Sequence, residues 1–309
     1  GFAVCLQARW IKQDICYTDH MFYGFAAALI FGLWLFLGFN RKLSISRYTI
    51  ENRNIPALFD GYKIAVLSDL HAVQVQGLLE AIRQEKPDAV FCTGDLFDGV
   101  QPYEPVLNLL LELKETAPIY LVSGNHEKYR MDWEDVKERV KEKGIHILEN
   151  EQTALRKGNE VIWLSGIDDP GHIVRNQQGR RIQIDSKKRK EKLRESIDSI
   201  PVQKEFQMVL LHRASFFEYV DRADFDVLFS GHLHGGQWRL FGIPVAGPGN
   251  EHRIDFFCKY SAGCYQKGNT TMIVSRGLGD QMILPRFYNR PDLVIVKLKS
   301  PKSVSFGTL

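Results

Sequence analysis

A set of aspartates, histidines and one asparagine stands in short motifs whose residue types and spacing suit a bound metal ion. Asp69 and His71 occur as Ser-Asp-Leu-His, a carboxylate and an imidazole two positions apart. Residues so spaced in an extended chain point the same way, so both can reach one cation. Asp95 and Asp98 lie in Gly94-Asp95-Leu96-Phe97-Asp98, and Asn125 and His126 in Gly124-Asn125-His126-Glu127. His212 stands alone in Leu-Leu-His-Arg, while His232 and His234 form Gly231-His232-Leu233-His234-Gly235-Gly236. Singly these signals are weak, since Asp-x-His and Gly-Asp are common on surfaces and in turns, and Gly-His-x-His is only moderately specific. The ordered set, each member behind an apolar run, is specific for a metal site. The flanking glycines let the backbone turn sharply and approach an ion or a phosphate closely.

The elements that must position these motifs read as alternating strands and helices. Strands are expected at Tyr62–Ser68, Ala89–Thr93, Ile119–Ser123, Val161–Ile167, Gln207–Leu211 and Val227–Ser230, with later ones at Thr271–Ser275 and Leu293–Leu298. Helices are expected at Val75–Glu85, Glu104–Glu115 and Asp132–Lys143, the last capped by Asp132 and stopped by Gly144. This alternation predicts an α/β layered fold. Its ligand-type residues follow the carboxyl ends of strands, where open α/β sheets bind ligands.

Composition narrows the class. The chain has 309 residues, 44% of them hydrophobic, enough for a sizeable core. A net charge of +3 is too mild to announce a nucleic-acid binder, and no stable nucleic-acid partner is expected. The five cysteines, Cys5, Cys16, Cys92, Cys258 and Cys264, show no paired CxxC spacing. Cys92 reads as a small core residue, and Cys258 and Cys264 as plain thiols that have the alternative of pairing or binding metal. Between Arg175 and Lys204 ten Lys or Arg residues face four acids. That segment is either a solvated helix face or a basic arm near anionic lipid.

Met21–Phe39 contains 19 residues and no charge, which predicts a transmembrane anchor. A core helix would carry a polar stripe, and a signal peptide a basic start and an exit of small residues. Here Ala26–Ala28 lie near the start of the run, and Arg41 and Lys42 follow it. Arg41, Lys42, Arg47 and Arg53 after the span, against Arg9 and Lys12 before it, predict a single-pass inner-membrane protein with its catalytic domain in the cytoplasm. The expected organisation is an N-terminal extension at 1–20, the anchor at 21–39, a linker at 40–60 and one domain at 61–309.

Taken together, the motifs resemble the calcineurin-like metallophosphoesterase family over Tyr62 to Leu298. The segment GHLHGGQWRLFGIPV, then VSRGLGD and a closing PDLVIV strand, resembles its membrane-anchored bacterial branch. Some members of the wider family hydrolyse UDP-2,3-diacylglucosamine, a lipid A precursor. The resemblance implies a four-layer α-β-β-α sandwich, with two mixed sheets face to face between helical layers and the metals at one edge. It implies one ion held by Asp69, His71, Asp95 and His234, and a second by Asp95, Asn125, His212 and His232, with Asp95 bridging. This donor set suits two divalent ions of manganese, iron or zinc, manganese first, rather than a thiolate-bound zinc. Two ions about 3.5–4 Å apart stabilise both attacking and leaving oxygens of an in-line displacement. His126 matches the proton donor to the leaving oxygen, with Asp98 as its partner. Two positions depart from the pattern. Gly99 stands where protein phosphatases of the family carry a phosphate-gripping arginine, and Leu-His-Arg replaces Ser-His-Asn around His212.

The resulting expectation is a dinuclear-metal phosphohydrolase that cleaves a phosphodiester or pyrophosphate bond. Its substrate would be a phosphorylated lipid or nucleotide, UDP-2,3-diacylglucosamine first, with membrane lipids as partners. The alternatives are a nuclease or cyclic-nucleotide phosphodiesterase with the same metal site, and a binding module without catalysis. The last is disfavoured because every ligand position is filled. Phe216, Phe217, Trp238, Leu240 and Phe241 either receive an acyl chain or belong to the core.

Overall fold

The computed structural model describes residues 22–99, 101–171, 173–175, 181–248, 254–280 and 284–301. The chain divides into two compact units, Gly1–Asn40 and Arg41–Leu309. In the first unit, helix α1 spans residues 22–38. At 1.5 Å per residue it is about 25 Å long, short of the ~30 Å hydrocarbon core. No helix among the described residues is long and apolar enough to cross a membrane. That overturns the anchor expected at Met21–Phe39, and with it the single-pass inner-membrane placement and cytoplasmic orientation drawn from its flanking charges. Met21 and the extension at 1–20, with Cys5 and Cys16, lie outside the described residues.

The second unit is built on two six-stranded mixed sheets. One runs β1 (Ser44–Glu51), β17 (Asp292–Lys299), β2 (Lys63–Leu67), β3 (Ala89–Cys92), β4 (Ile119–Leu121), β5 (His146–Ile147). The other runs β15 (Gly263–Lys267), β16 (Thr270–Val274), β11 (Val227–Gly231), β10 (Gln207–Arg213), β7 (Glu160–Ile167), β6 (Glu151–Lys157). Strands β2 to β5 are mutually parallel, as are β7, β10, β11 and β16. Strand β17 runs antiparallel to β2, and β6 and β15 run antiparallel to their neighbours β7 and β16. Within the linker expected at 40–60, Ser44–Glu51 pairs residue for residue with Asp292–Lys299 as an edge strand.

Period-two alternation sorts each strand between layers. In β2, Ile64 and Val66 join the core between the sheets, whereas Ala65 and Leu67 face a second core with Leu78, Ile82, Leu110, Leu113, Val136 and Val140. Those six come from α2 (Leu78–Glu85), α3 (Glu104–Lys114) and α5 (Trp133–Glu142). In β10, Met208 and Leu210 join the inter-sheet core. Val209 and Leu211 instead pack with Leu193 and Ile197 of α6 (Ser186–Ser199). The outcome is helix, sheet, sheet, helix. Asp132 precedes α5 without capping it, because both its carboxylate oxygens are taken by Arg130 at 3.0 and 2.9 Å.

Part of the basic segment Arg175–Lys204 falls at 176–180, outside the described residues. Its remainder contains the short strands β8 (Ile173–Arg175) and β9 (Arg181–Gln183) and helix α6. Arg189, Leu193 and Ile197 recur at i, i+4, i+8 and form the buried face of α6. Cys92 is buried in the core, and Cys258 and Cys264 are free thiols. Phe216 and Phe217 are core residues, whereas Trp238 is exposed on the sheet β12 (Trp238–Leu240), β13 (Ile243–Pro248), β14 (Ile254–Phe256), and Phe241 in the turn between β12 and β13.

Candidate metal centre

Parallel strands bring their carboxyl ends to one edge, and the motifs meet there. Asp69 and His71 follow β2, Asp95 follows β3, and Asn125 opens the short helix α4 (Asn125–Tyr129) after β4. His212 sits within the last residues of β10, and His232 and His234 follow β11. Loop-to-loop hydrogen bonds lock these turns together. The His71 amide donates to the Asp95 carbonyl at 3.0 Å, and the Asp69 amide to the Gly94 carbonyl at 3.0 Å. The His232 amide donates to the Asp69 carboxylate at 3.1 and 3.0 Å, and the His126 amide to Asp95 Oδ1 at 2.7 Å.

Asp69, His71, Asp95, His232 and His234 all hold positive φ, at 51°, 52°, 53°, 78° and 46°. Left-handed backbone at non-glycine residues costs of order 1–3 kcal/mol each, and it clusters where side chains must be aimed. Glycine is required at the closest approach. A Cβ on Gly124 would meet Asp95 Oδ1 and stand 2.7 Å from the Asp95 amide nitrogen.

Two groups of donors form. Asp69, His71 and His234 offer atoms within 4.8 Å of one another, as do Asp95, His212 and His232. In the first, the Nε2 atoms of His71 and His234 lie 3.0 Å apart, and Asp69 Oδ1 lies 3.6 Å from His234 Nε2. In the second, Asp95 Oδ2, His232 Nδ1 and Asn125 Oδ1 surround His212 Nε2 at 3.1, 3.2 and 3.3 Å. His212 Nδ1 donates to the Thr93 carbonyl at 2.8 Å, so Nε2 is the ring atom turned to the cluster. A single cation in their midst would engage Asp95 Oδ2, Asn125 Oδ1 and both imidazole nitrogens at once. This arrangement fits a divalent ion.

A third group, His71, Asp98 and His126, overlaps the first. His126 Nδ1 lies 3.3 Å from Asp98 Oδ1, and the His126 ring meets that of His71 edge-on at 4.5 Å between centroids.

The electrostatics describe a pocket that draws positive charge. Burial opposes charging His212, but the carboxylates of Asp95 and Asp69 outweigh it and push the ring up to about 10. His126 follows the same logic with Asp95 and Asp98, and rises to about 9. Burial lowers His71 to about 4 and takes His232 and His234 well below their usual value, so these three rings are neutral. Burial likewise raises Asp69, while the cationic histidines hold Asp95 well down despite its burial.

Three supporting residues carry no role in the motif reading. The buried Glu127 carboxylate accepts from the amides of Asp95, Leu96, Phe97 and Gly124 at 2.7–2.9 Å. Burial beside Asp95 lifts it to about 7. Arg213 Nε donates to Asp169 Oδ2 at 2.7 Å, and its Nη1 to His232 Nε2 at 2.9 Å. Glu127 adjoins Asn125-His126 and Arg213 adjoins His212, so neighbourhood to a motif was their only signal. Asp169 carried none.

A model of the calcineurin-like phosphoesterase family matches residues 62–236. The metallophosphoesterase YkuE of Bacillus subtilis, itself described as uncharacterized, is 26% identical over 269 residues, 84% of this chain and 86% of its own length. Phosphodiesterase YaeI of Escherichia coli is 27% identical over 251 residues, 77% and 82% of the two chains. A putative 5'-nucleotidase structure from Staphylococcus aureus aligns with a TM-score of 0.43 at 14% identity, covering 80% of this chain and 56% of that one. The match spans more than half of the chain and ends just beyond the Gly-His-x-His motif, so this protein belongs to the calcineurin-like phosphoesterase family and is a metal-dependent hydrolase.

Proposed function

We propose that this chain hydrolyses a phosphodiester or pyrophosphate bond at a two-metal centre. Asp69, His71 and His234 hold one ion, Asn125, His212 and His232 the other, and Asp95 serves both. The observation that carries the reading is the crowding of Asp95 Oδ2, Asn125 Oδ1 and His232 Nδ1 around His212 Nε2, all within 3.3 Å. The bound ions supply Lewis acidity and an activated nucleophile when present. The rest falls to the chain's own residues. Asp98 takes the Nδ1 side of His126, which leaves Nε2–H free to protonate a leaving oxygen. The Asp98 carboxylate, 3.3 Å from Nδ1, favours the protonated ring that this step needs. Gly99 supplies no phosphate-gripping side chain, which favours diesters over the phosphoprotein monoesters that an arginine there serves.

The substrate proposal loses the support of an anchor, so UDP-2,3-diacylglucosamine no longer stands ahead of a soluble nucleotide. One observation still favours an apolar leaving group. Trp238 and Phe256, at 38 and 68% exposure, lie on the small sheet that begins just after the His234 turn, and Phe241, at 102%, tips its β12–β13 turn.

The deciding experiment strips the protein with chelator, reloads it with manganese, iron or zinc, and assays bis-p-nitrophenyl phosphate, p-nitrophenyl phosphate and a UDP-linked diacyl sugar side by side. The diester should be cleaved at least about tenfold faster than the monoester, a difference of ~1.4 kcal/mol in barrier. Activity should return only with metal. Cleavage that survives metal removal would end the two-metal reading, and monoester preference would end the diester one.

A further inference from the structure

Arg213 follows His212 on β10 and takes no part in the chemistry above, yet it touches the centre. At 1% exposure it is out of reach of a substrate, and its Nη2 has no hydrogen-bond partner among the described residues. Its Nε is held by Asp169 Oδ2 at 2.7 Å, and the other Asp169 oxygen accepts from the Gly171 amide at 2.7 Å. So braced, Nη1 lies 2.9 Å from Nε2 of His232.

A guanidinium only donates, so His232 Nε2 must accept. The other ring nitrogen, Nδ1, then faces the cluster, 3.2 Å from His212 Nε2. An ion taken by Nδ1 leaves the neutral ring's proton on Nε2, where it meets the Arg213 donor head-on. Metal-ligating histidines ordinarily hand their second N–H to an acceptor. His212 does so, with Nδ1 on the Thr93 carbonyl at 2.8 Å. His232 has the reverse partner. On the side of Asp69, Arg286 gives Nε and Nη2 to the Gly279 carbonyl, at 2.9 and 2.6 Å, instead of to a histidine.

We infer that Arg213 makes the position built from Asp95, Asn125, His212 and His232 the weaker of the two for a divalent ion, because an ion there must break the Arg213–His232 hydrogen bond. The inference rests on the two-metal reading and concerns how the ions share it. Asp69, His71, Asp95 and His234 fill first. Arg213 is a positioning residue that acts through His232, and the second ion arrives only as Arg213 gives way.

The test is calorimetric titration of the chelator-stripped full chain with Mn²⁺, with bound metal counted by elemental analysis after desalting. The wild type should bind one ion at least about tenfold more tightly than the next, as expected when one hydrogen bond to a charged group is lost. His232→Ala should delete the weaker ion and keep the tighter, and His71→Ala should do the reverse. Arg213→Met combined with Asp169→Leu removes both buried charges and should tighten the weaker ion at least about tenfold. Two equal affinities in the wild type overturn the inference, as does loss of the tighter ion in His232→Ala. So does an untightened second ion in a double variant with native circular dichroism. If the double variant does not fold, the two histidine variants decide alone. Absence of any bound ion would instead end the two-metal reading itself, and this inference with it.

Discussion

The Asp95 amide donates to Glu127 Oε2 at 2.9 Å, so the candidate bridging carboxylate is carried on a turn that a second, buried carboxylate holds in shape. Leu96 and Phe97 bind Oε1 of the same side chain at 2.7 and 2.9 Å, and Gly124 binds Oε2 at 2.9 Å. One residue therefore ties the loop after β3 to the loop after β4, and Asp95 to Asn125. No sequence motif assigns Glu127 a task, although it lies one position from His126.

Glu127→Ala should leave those amides buried without acceptors. At about 1–3 kcal/mol for each unsatisfied group, and with partial relaxation, the expected loss is about 3–5 kcal/mol. Urea denaturation measures it. Metal affinity should fall with stability, because the Asp95 turn is freed. A midpoint equal to that of the wild type would show that the turn holds itself.

Asp95→Ala and His126→Ala should separate binding from proton transfer. The first removes a donor proposed to serve both ions, so metal content and activity should disappear together. The second removes only the proposed acid, so activity should drop by about 10²–10⁴-fold with both ions retained. Elemental analysis of the two purified variants decides. A metal-free His126→Ala protein would move His126 from acid to ligand.

Gly124→Ala should behave as a lesion of the site, because the new methyl group would meet Asp95 Oδ1 and its amide nitrogen. Overpacking of this kind costs about 1–3 kcal/mol, and here it also displaces a donor atom. Gly32→Ala in α1, where nothing lies within 4 Å of the added Cβ, is the matched control and should leave metal content unchanged. Equal metal content in the two variants would contradict the close packing described above.

The metal-free protein should be most stable near pH 6.5. His126 and His212 are raised from 6.5 to about 9 and about 10, so their contribution is complete below 6.5 and is lost as pH climbs through those values. His71 is lowered from 6.5 to about 4, and His232 and His234 further below their usual value. For these the unfolded chain takes up protons first, so stability falls as pH drops below 6.5. Bound divalent ions require unprotonated donors, so loading should abolish the part of the alkaline loss that His212 contributes. Urea midpoints across this range, with and without chelator, provide the check. A metal-free midpoint that rises from pH 6.5 to 9 would refute the charge assignments.

The motifs, the strands that carry them and the layered α/β class were all legible in the sequence by itself. Short-range rules govern such features: apolar runs make strands, glycines mark turns, and a carboxylate beside an imidazole has a restricted chemistry. The tertiary structure decided what depends on distant partners. Ser44–Glu51 reads as a linker until β17, more than 240 residues later, supplies its hydrogen bonds. The apolar run at Met21–Phe39 has the composition of a spanning helix, but its described helix is too short to cross a bilayer. Arg213 and Asp169 lie 44 positions apart, and local sequence could not foretell their ion pair or its contact with His232. Composition and spacing determine which groups are available. Only packing sets which lone pair faces a cation and which faces a guanidinium, because that depends on ring orientations imposed by residues from separate strands.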